Sequence, residues 1–180
     1  MLDLMNNYFI ITYMAKLSKN FKNISQEKLK KSAAEMLGHL KNPEKGVGTE
    51  LFDAIIKVVP QTAVDIIVVD NLKNPKKVLL TARSDQYYKG WHFPGGFIRF
   101  SETAVDAVEN VILRELGVKV KKLEDTRERY ELLDERGHTI AFIFLVELSK
   151  SSKNGKWFDS IPKDLLWHQK EVLKAILGWK

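Results

Sequence analysis

From Thr62 to Val69 the chain reads Thr-Ala-Val-Asp-Ile-Ile-Val-Val, an apolar and mostly β-branched run with little alternation. That pattern predicts a strand covered on both faces. Asp70 to Pro75 has turn composition, and Lys77 to Arg83 returns as the next strand. Further on, Ala104, Ala107, Val108 and Val111 recur at the spacing of one helical face. This helix is expected to start near Thr103, with Asp106 completing a capping pair, and to end at Gly117 in a left-handed conformation. Glu128–Leu133 and Thr139–Glu147 read as an antiparallel pair joined at Gly137, and Trp157-Phe158 as a short strand or turn. Pro162 is read as opening a last helix that runs through Leu177.

Ahead of these elements, Ser25 suits an N-cap for a helix to about Gly38. Asn42 to Gly46 is a linker, and a second helix is expected from Thr49 to Val59, stopped by Pro60. Strands, one helix, more strands and a closing helix predict an α/β/α sandwich with a mixed central sheet and an N-terminal helical extension. Residues 1–45 form the arm and helix, and 46–180 the main domain.

Composition narrows the class. With 44% hydrophobic and 29% charged residues, the 180-residue chain is that of a soluble globular protein with one ordinary core. The absence of cysteine excludes disulfides and thiolate metal sites, in keeping with an expected cytoplasmic location. The apolar run Tyr8–Ala15 is too short to span a bilayer and lacks the features of a signal peptide. It is read as an N-terminal arm that can serve as a dimer contact. The net charge of +6 is spread over Lys16–Lys19, Lys28–Lys31 and Lys150–Lys156, short runs without interleaved aromatics. These suit solvated faces better than a groove for nucleic acid, and the mild positive bias suits a small polyanionic substrate.

The chemistry gathers around Gly96-Phe-Ile-Arg-Phe-Ser-Glu102 and the helix closing on Arg114-Glu115-Leu116-Gly117-Val118. The spacing resembles the Nudix box, in which Gly96, Glu102, Glu115, Gly117 and Val118 match and Ile112 fills an aliphatic slot. Asn110 stands in place of an arginine, and Val111 and Arg114 in place of two glutamates. In ordinary members the glutamates at i, i+3 and i+4 converge on one patch that gathers divalent metals. Here helical phase leaves Glu115 as the one carboxylate of that patch and carries Asp106 and Glu109 away from it.

The resemblance implies a Nudix-type sandwich and a homodimer. It also implies a single Mg2+ or Mn2+ ion held by Glu115, a backbone carbonyl at Gly95 and the substrate's phosphates. Arg114 would supply charge that a second metal provides elsewhere, while Gly96, Glu102 and Gly117 keep the structural part of the box. Within the family the chain is similar to the GDP-mannose mannosyl hydrolases: in Thr49–Phe52 and Val58-Val59-Pro60, in Asp65, and in Arg83 ahead of Gly90-Trp-His-Phe-Pro-Gly-Gly96. That likeness implies substrate contact by Asp65 and help from Arg83 as the nucleoside diphosphate departs. The chain departs from the branch at Phe97, at Ser152 where a catalytic histidine is aligned, and in the short segment Asp134–Gly137.

Residue by residue, alternatives stay open. Asp65 is either a substrate contact or an inward polar group at a strand end. Arg99, like Arg83, is a candidate diphosphate partner because guanidinium grips oxyanions in pairs of bonds, or it is an exposed strand charge. Glu102 suits bracing of the loop. His92 lies near the presumed site, whereas His39 and His138 suit the surface and His168 the last helix. Tyr87, Tyr88 and Trp91 either stack on a base or sugar or belong to the core. Two functions follow: a metal-dependent hydrolase of a nucleoside diphosphate linked to another group, with a nucleotide sugar foremost, or a catalytically silent domain that binds a nucleotide as a sensor.

Overall fold

The computed structural model describes residues 24–85, 88–134 and 137–179, so the arm at Tyr8–Ala15, the basic run Lys16–Lys19 and Tyr87 lie outside the described residues. The chain forms two units, Met1–Asn42 and Pro43–Lys180. In the first, helix α1 (Gln26–Gly38) is capped by Ser25, whose hydroxyl accepts the Lys28 N–H, and buries none of its residues.

The second unit carries α2 (Thr49–Ile55), β1 (Gln61–Val69), β2 (Val78–Ser84), β3 (Lys89–His92), β4 (Gly95–Phe97) and α3 (Ala104–Leu116). It continues with β5 (Val120–Asp134), β6 (Gly137–Leu148), β7 (Lys156–Phe158) and α4 (Trp167–Leu177). The sheet is mixed, in the order β3-β2-β1-β6-β5, with β4 also on β1 and β7 also on β2. This is the expected α/β architecture. Three bounds differ from the sequence reading. Helix α2 ends at Ile55, four residues short of Val59. Strand β5 begins at Val120, because residues before Glu128 also pair with β6, across a bulge between Asp125 and Arg129. Helix α4 begins at Trp167, since Pro162 opens only a turn whose carbonyl accepts the Leu165 N–H.

Strand β1 has no alternation of polar and apolar positions because both of its faces are covered. Val64, Ile66 and Val68 pack with Val108, Val111, Ile112 and Leu116 of α3. Ile67 and Val69 pack on the other side with Phe93, Leu165 and Leu173 of the α4 layer. Helix α3 is held at both ends. Thr103 and Asp106 form a reciprocal capping box, and Gly117 ends the helix at φ 66°.

The feature that makes a site is a fork on one edge of β1. Its far end pairs with β2, as Val68 opposite Leu79 and Val69 opposite Val78. Its near end pairs instead with β4, as Ala63, Val64 and Asp65 opposite Phe97, Gly96 and Gly95. Past that first contact β2 leaves β1 and pairs with β3, from Thr81 opposite His92 to Ser84 opposite Lys89. Strands β3 and β4 are separated only by Phe93-Pro94, so two residues cross from one branch to the other. Phe93 is fully buried and anchors that crossing.

The contrast between neighbours on α3 tests this packing. Ile112 is buried against β1 and Leu113 is about half exposed. Ile112→Ala is expected to cost ~2–5 kcal/mol of unfolding free energy and Leu113→Ala ~0.5 kcal/mol or less, read from chemical denaturation midpoints.

Candidate active site

The fork opens a cleft of about 930 Å³ lined by residues of both branches and of α3 and α4. Asp65, midway along β1, is buried. Its Oδ2 accepts hydrogen bonds from the Tyr130 hydroxyl at 2.7 Å and from the Gln169 amide at 2.8 Å. The Gln169 carbonyl accepts the Phe93 N–H at 2.8 Å, so one buried amide ties the β1 branch, the crossing and α4 together. Burial pushes the Asp65 carboxyl above the usual carboxylate range, against the opposing pull of Tyr130, Gln169 and Arg83. Burial and the neighbouring carboxylate push the Tyr130 hydroxyl strongly upward, which keeps it a donor.

Gly95 approaches this group closely. A Cβ there would stand 2.6 Å from Asp65 Oδ1 and 2.9 Å from the Val64 carbonyl, so the position takes no side chain. The flanking bonds, Ile66 N–H to Pro94 and Ile98 N–H to Thr62, turn Gly95's own N–H and C=O away from β1. The N–H reaches the carboxylate of Glu115. Gly96 does the same service for α3, since a Cβ there would lie 3.3 Å from Val111 and 3.2 Å from the Arg114 guanidinium.

Glu115 lines the cleft with its side chain 22% exposed and pairs with Arg114 at 3.2 Å. Burial raises its pKa, against the opposing effects of Arg114 and the Gly95 N–H. The loop that follows β6 fixes the end of the helix that carries it. The Ser152 hydroxyl donates to the Leu116 carbonyl and the Asn154 amide to the Glu115 carbonyl. Ser152 is therefore engaged in closing α3. Glu102 accepts the Arg99 N–H and the Asn110 amide, joining the loop after β4 to α3.

Arg83 lines the cleft and is held by an ion pair with Asp85 at 2.5 Å. Arg99 and Arg114 line a second cavity of about 870 Å³, which shares Arg83 and the β4 residues Gly96 and Phe97 with the first. His92 faces the first cleft, bonded to the Thr81 hydroxyl at 3.1 Å. Burial pushes it down to about 4, so it is neutral at pH 7 and a weak proton acceptor. Tyr88 lines the cleft too, whereas Trp91 turns into the core against Phe158. Sequence reasoning placed His168 in the last helix without a role. Its ring faces the cleft beside Tyr130, at 5.0 Å between centroids, and its Nδ1 is buried with no hydrogen-bond partner among the described residues. Gln169 and Tyr130 were likewise missed, because neither spacing nor composition marks one amide in a helix or one aromatic in a long strand.

Among the described residues no three His, Cys, Asp or Glu side chains are placed to share a metal. Asp65 spends Oδ2 on two protein donors, which leaves Glu115 and the outward face of Gly95. That donor set fits one hydrated Mg2+ completed by substrate phosphates, and it does not fit a cluster of ions.

The NUDIX domain pattern matches residues 59–173. An ADP-ribose pyrophosphatase from Methanocaldococcus jannaschii is 34% identical over 133 residues, 67% of this chain and 75% of that protein. Among solved structures, a MutT NUDIX hydrolase from Burkholderia pseudomallei superposes with a TM-score of 0.58 at 20% identity, covering 66% of this chain and 98% of that one. A MutT protein from Methanosarcina mazei does so at 0.54 and 16%, covering 64% and 91%. At these identities the structural likeness speaks for the fold.

Asp65 supplies a pH test. A carboxyl raised in the folded state contributes its full stability below its unfolded value of 3.8 and loses it as pH rises through the folded value. Asp65→Asn keeps an acceptor for Tyr130 and Gln169 and removes that loss. Its melting temperature relative to wild type is therefore expected to be higher at pH 7 than at pH 3.5, read by calorimetry across pH.

Proposed function

We propose that this chain, which belongs to the NUDIX domain family, hydrolyses a nucleoside diphosphate linked to a sugar by attack of water at phosphorus. Hydrolysis of a nucleoside diphosphate derivative follows from the family and from the M. jannaschii relative. The sugar, the metal and the site of attack are the proposal. The observation that carries it is the position of Glu115. Its carboxylate stands at the fork, bonded by the Gly95 N–H and flanked by Arg114, in a cleft that Arg83 also lines.

A Mg2+ held by Glu115 and the Gly95 carbonyl would polarise the diphosphate and lower the pKa of a bound water. The rest of the machinery is protein. Asp85 holds Arg83, so its guanidinium meets the diphosphate already oriented, where two parallel bonds stabilise charge on the departing phosphate. Arg114 lies over Gly96 and supplies positive charge at the other side of the same backbone. The Asp65–Gln169–Tyr130 network fixes the floor against which the nucleoside packs. The His168 ring, neutral because burial lowers its pKa, stands beside Tyr130 on the same wall.

Attack at phosphorus is favoured because the place aligned with a catalytic histidine holds Ser152, whose hydroxyl closes α3. The M. jannaschii relative is also named a pyrophosphatase. ADP-ribose therefore heads the list of substrates and GDP-mannose follows it. That no carboxylate cluster stands among the described residues favours a second reading, a domain that binds the nucleotide without cleaving it.

The decisive variant is Glu115→Gln. Removing the charge at the metal is expected to lower kcat by ~100-fold or more, with the melting temperature kept. Rates are read by chromatography of nucleoside monophosphate. Full activity in Glu115→Gln would remove the assignment, and binding without any product would favour the silent domain.

A further inference from the structure

Lys150, Lys153 and Lys156 recur at every third position from the end of β6 into β7. In the sequence they read alike, as one solvated basic face. The structure separates them. Lys150 borders a separate cavity at the Val69 end of β1, beside Asp70 and Glu147. Lys156 is the first residue of β7, and its ammonium lies over the Phe158 ring, 5.2 Å from the ring centre. Lys153 lines the cleft that holds Asp65, Gly95 and Glu115.

The place of Lys153 is set by the residues on either side of it. Just before it, the Ser152 hydroxyl donates to the Leu116 carbonyl at 2.7 Å. Just after it, the Asn154 amide donates to the Glu115 carbonyl at 2.9 Å, and the Asn154 N–H returns to the Ser152 hydroxyl at 3.0 Å. Gly155 follows with φ 91° and passes so near β2 that a Cβ would stand 2.7 Å from the Leu80 carbonyl. Lys156 then pairs with Leu80 itself. The segment is thus a strap from the end of α3 to β2, and both of those elements contribute to the cleft wall, through Glu115 and through Thr81 to Arg83. Lys153 sits between the fastenings.

Its charge is also unlike that of the cations around it. Arg83 pairs with Asp85 and Arg114 with Glu115, whereas no acid among the described residues forms an ion pair with Lys153. Lysine binds phosphate as a compact point charge on a flexible stem, so a fixed backbone beside the cleft is what it needs to reach a bound diphosphate.

We propose that Lys153 binds the diphosphate of the substrate, its ammonium donating to a phosphate oxygen from the strap while Arg83 does so from β2. This rests on the hydrolase reading above for the ligand, and it adds a residue that no box position marks. Ser152 and Asn154 act through it, as positioning residues. A cation that worked only by long-range attraction would be matched by Lys150 or Lys156, whose removal changes the net charge by the same unit. A contact would not be.

The test replaces each of the three lysines by Met, which keeps the stem and removes the charge, and Lys153 by Arg as well. Melting temperatures check folding. Turnover of ADP-ribose and calorimetric binding of ADP are read in the presence of magnesium. Lys153→Met is expected to raise KM and weaken ADP binding about tenfold, with kcat within about twofold of wild type. Lys153→Arg should restore most of the loss, and Lys150→Met and Lys156→Met should stay within about twofold throughout. An equal loss in all three Met variants would assign the effect to net charge and overturn the contact. So would wild-type KM and ADP affinity in Lys153→Met, or a loss that Lys153→Arg shares in full, which would point to the shape of the strap. Each of these leaves the hydrolase standing. No turnover of any diphosphate, with ADP binding weakened in Lys153→Met alone, would keep the contact and remove the hydrolase. Neither turnover nor ADP binding in the wild type would remove both.

Discussion

One edge of β1 is asked to pair with two strands, and the rest of the molecule follows from that. A strand edge can satisfy its N–H and C=O groups against only one neighbour at each position, so β2 and β4 divide its length between them. The division forces β2 outward toward β3 and leaves a wedge that no side chain of the core fills. Phe93, fully buried at the crossing, and Gln169, bonded to both Phe93 and Asp65, keep the wedge from closing or sliding. Gly95 completes the arrangement because any side chain there would collide with Asp65 and the Val64 carbonyl.

The electrostatics of the cleft follow from the same crowding. Asp65 and Glu115 are both drawn into a poorly solvated space, and both carboxyls are raised by it. Each is then given donors that favour its ionised form: Tyr130 and Gln169 for Asp65, Arg114 and the Gly95 N–H for Glu115. The two acids are thereby separated in role. Asp65 turns inward as a tie between β1, β5 and α4, while Glu115 keeps a side chain in contact with the cavity. Where related boxes place further glutamates, this chain places Val111 in the core and Arg114 at the surface of the second cavity.

Much of the fold could be read from the sequence because its signals are local. The apolar run of β1, the capping box at Thr103 and Asp106, and the left-handed Gly117 each follow from short-range sterics and hydrogen bonding. The ends of α2 and α4 were less legible, since Pro60 and Pro162 mark where a helix cannot continue or can begin and not where tertiary contacts let it form. The long β5 was hidden by its bulge at Asp125–Arg129, which breaks the pattern of paired positions. In the site, spacing pointed to Glu115, Gly95 and Arg83, residues tied to a recurrent motif. His168, Gln169 and Tyr130 lie between 15 and 104 positions from Asp65 or Glu115 in sequence and meet the cleft only through the packing of α4 and β5. The second cavity was invisible for the same reason, as it needs Phe52 and Phe97 from separate elements.

The central claim is that water attacks phosphorus in the fork between β2 and β4. Hydrolysis of ADP-ribose in water enriched in oxygen-18, followed by mass analysis of the products, tests it most directly. The account predicts one heavy oxygen in the phosphate of AMP or of ribose phosphate, and none in the sugar. ADP released together with a free sugar that carries the label would contradict it.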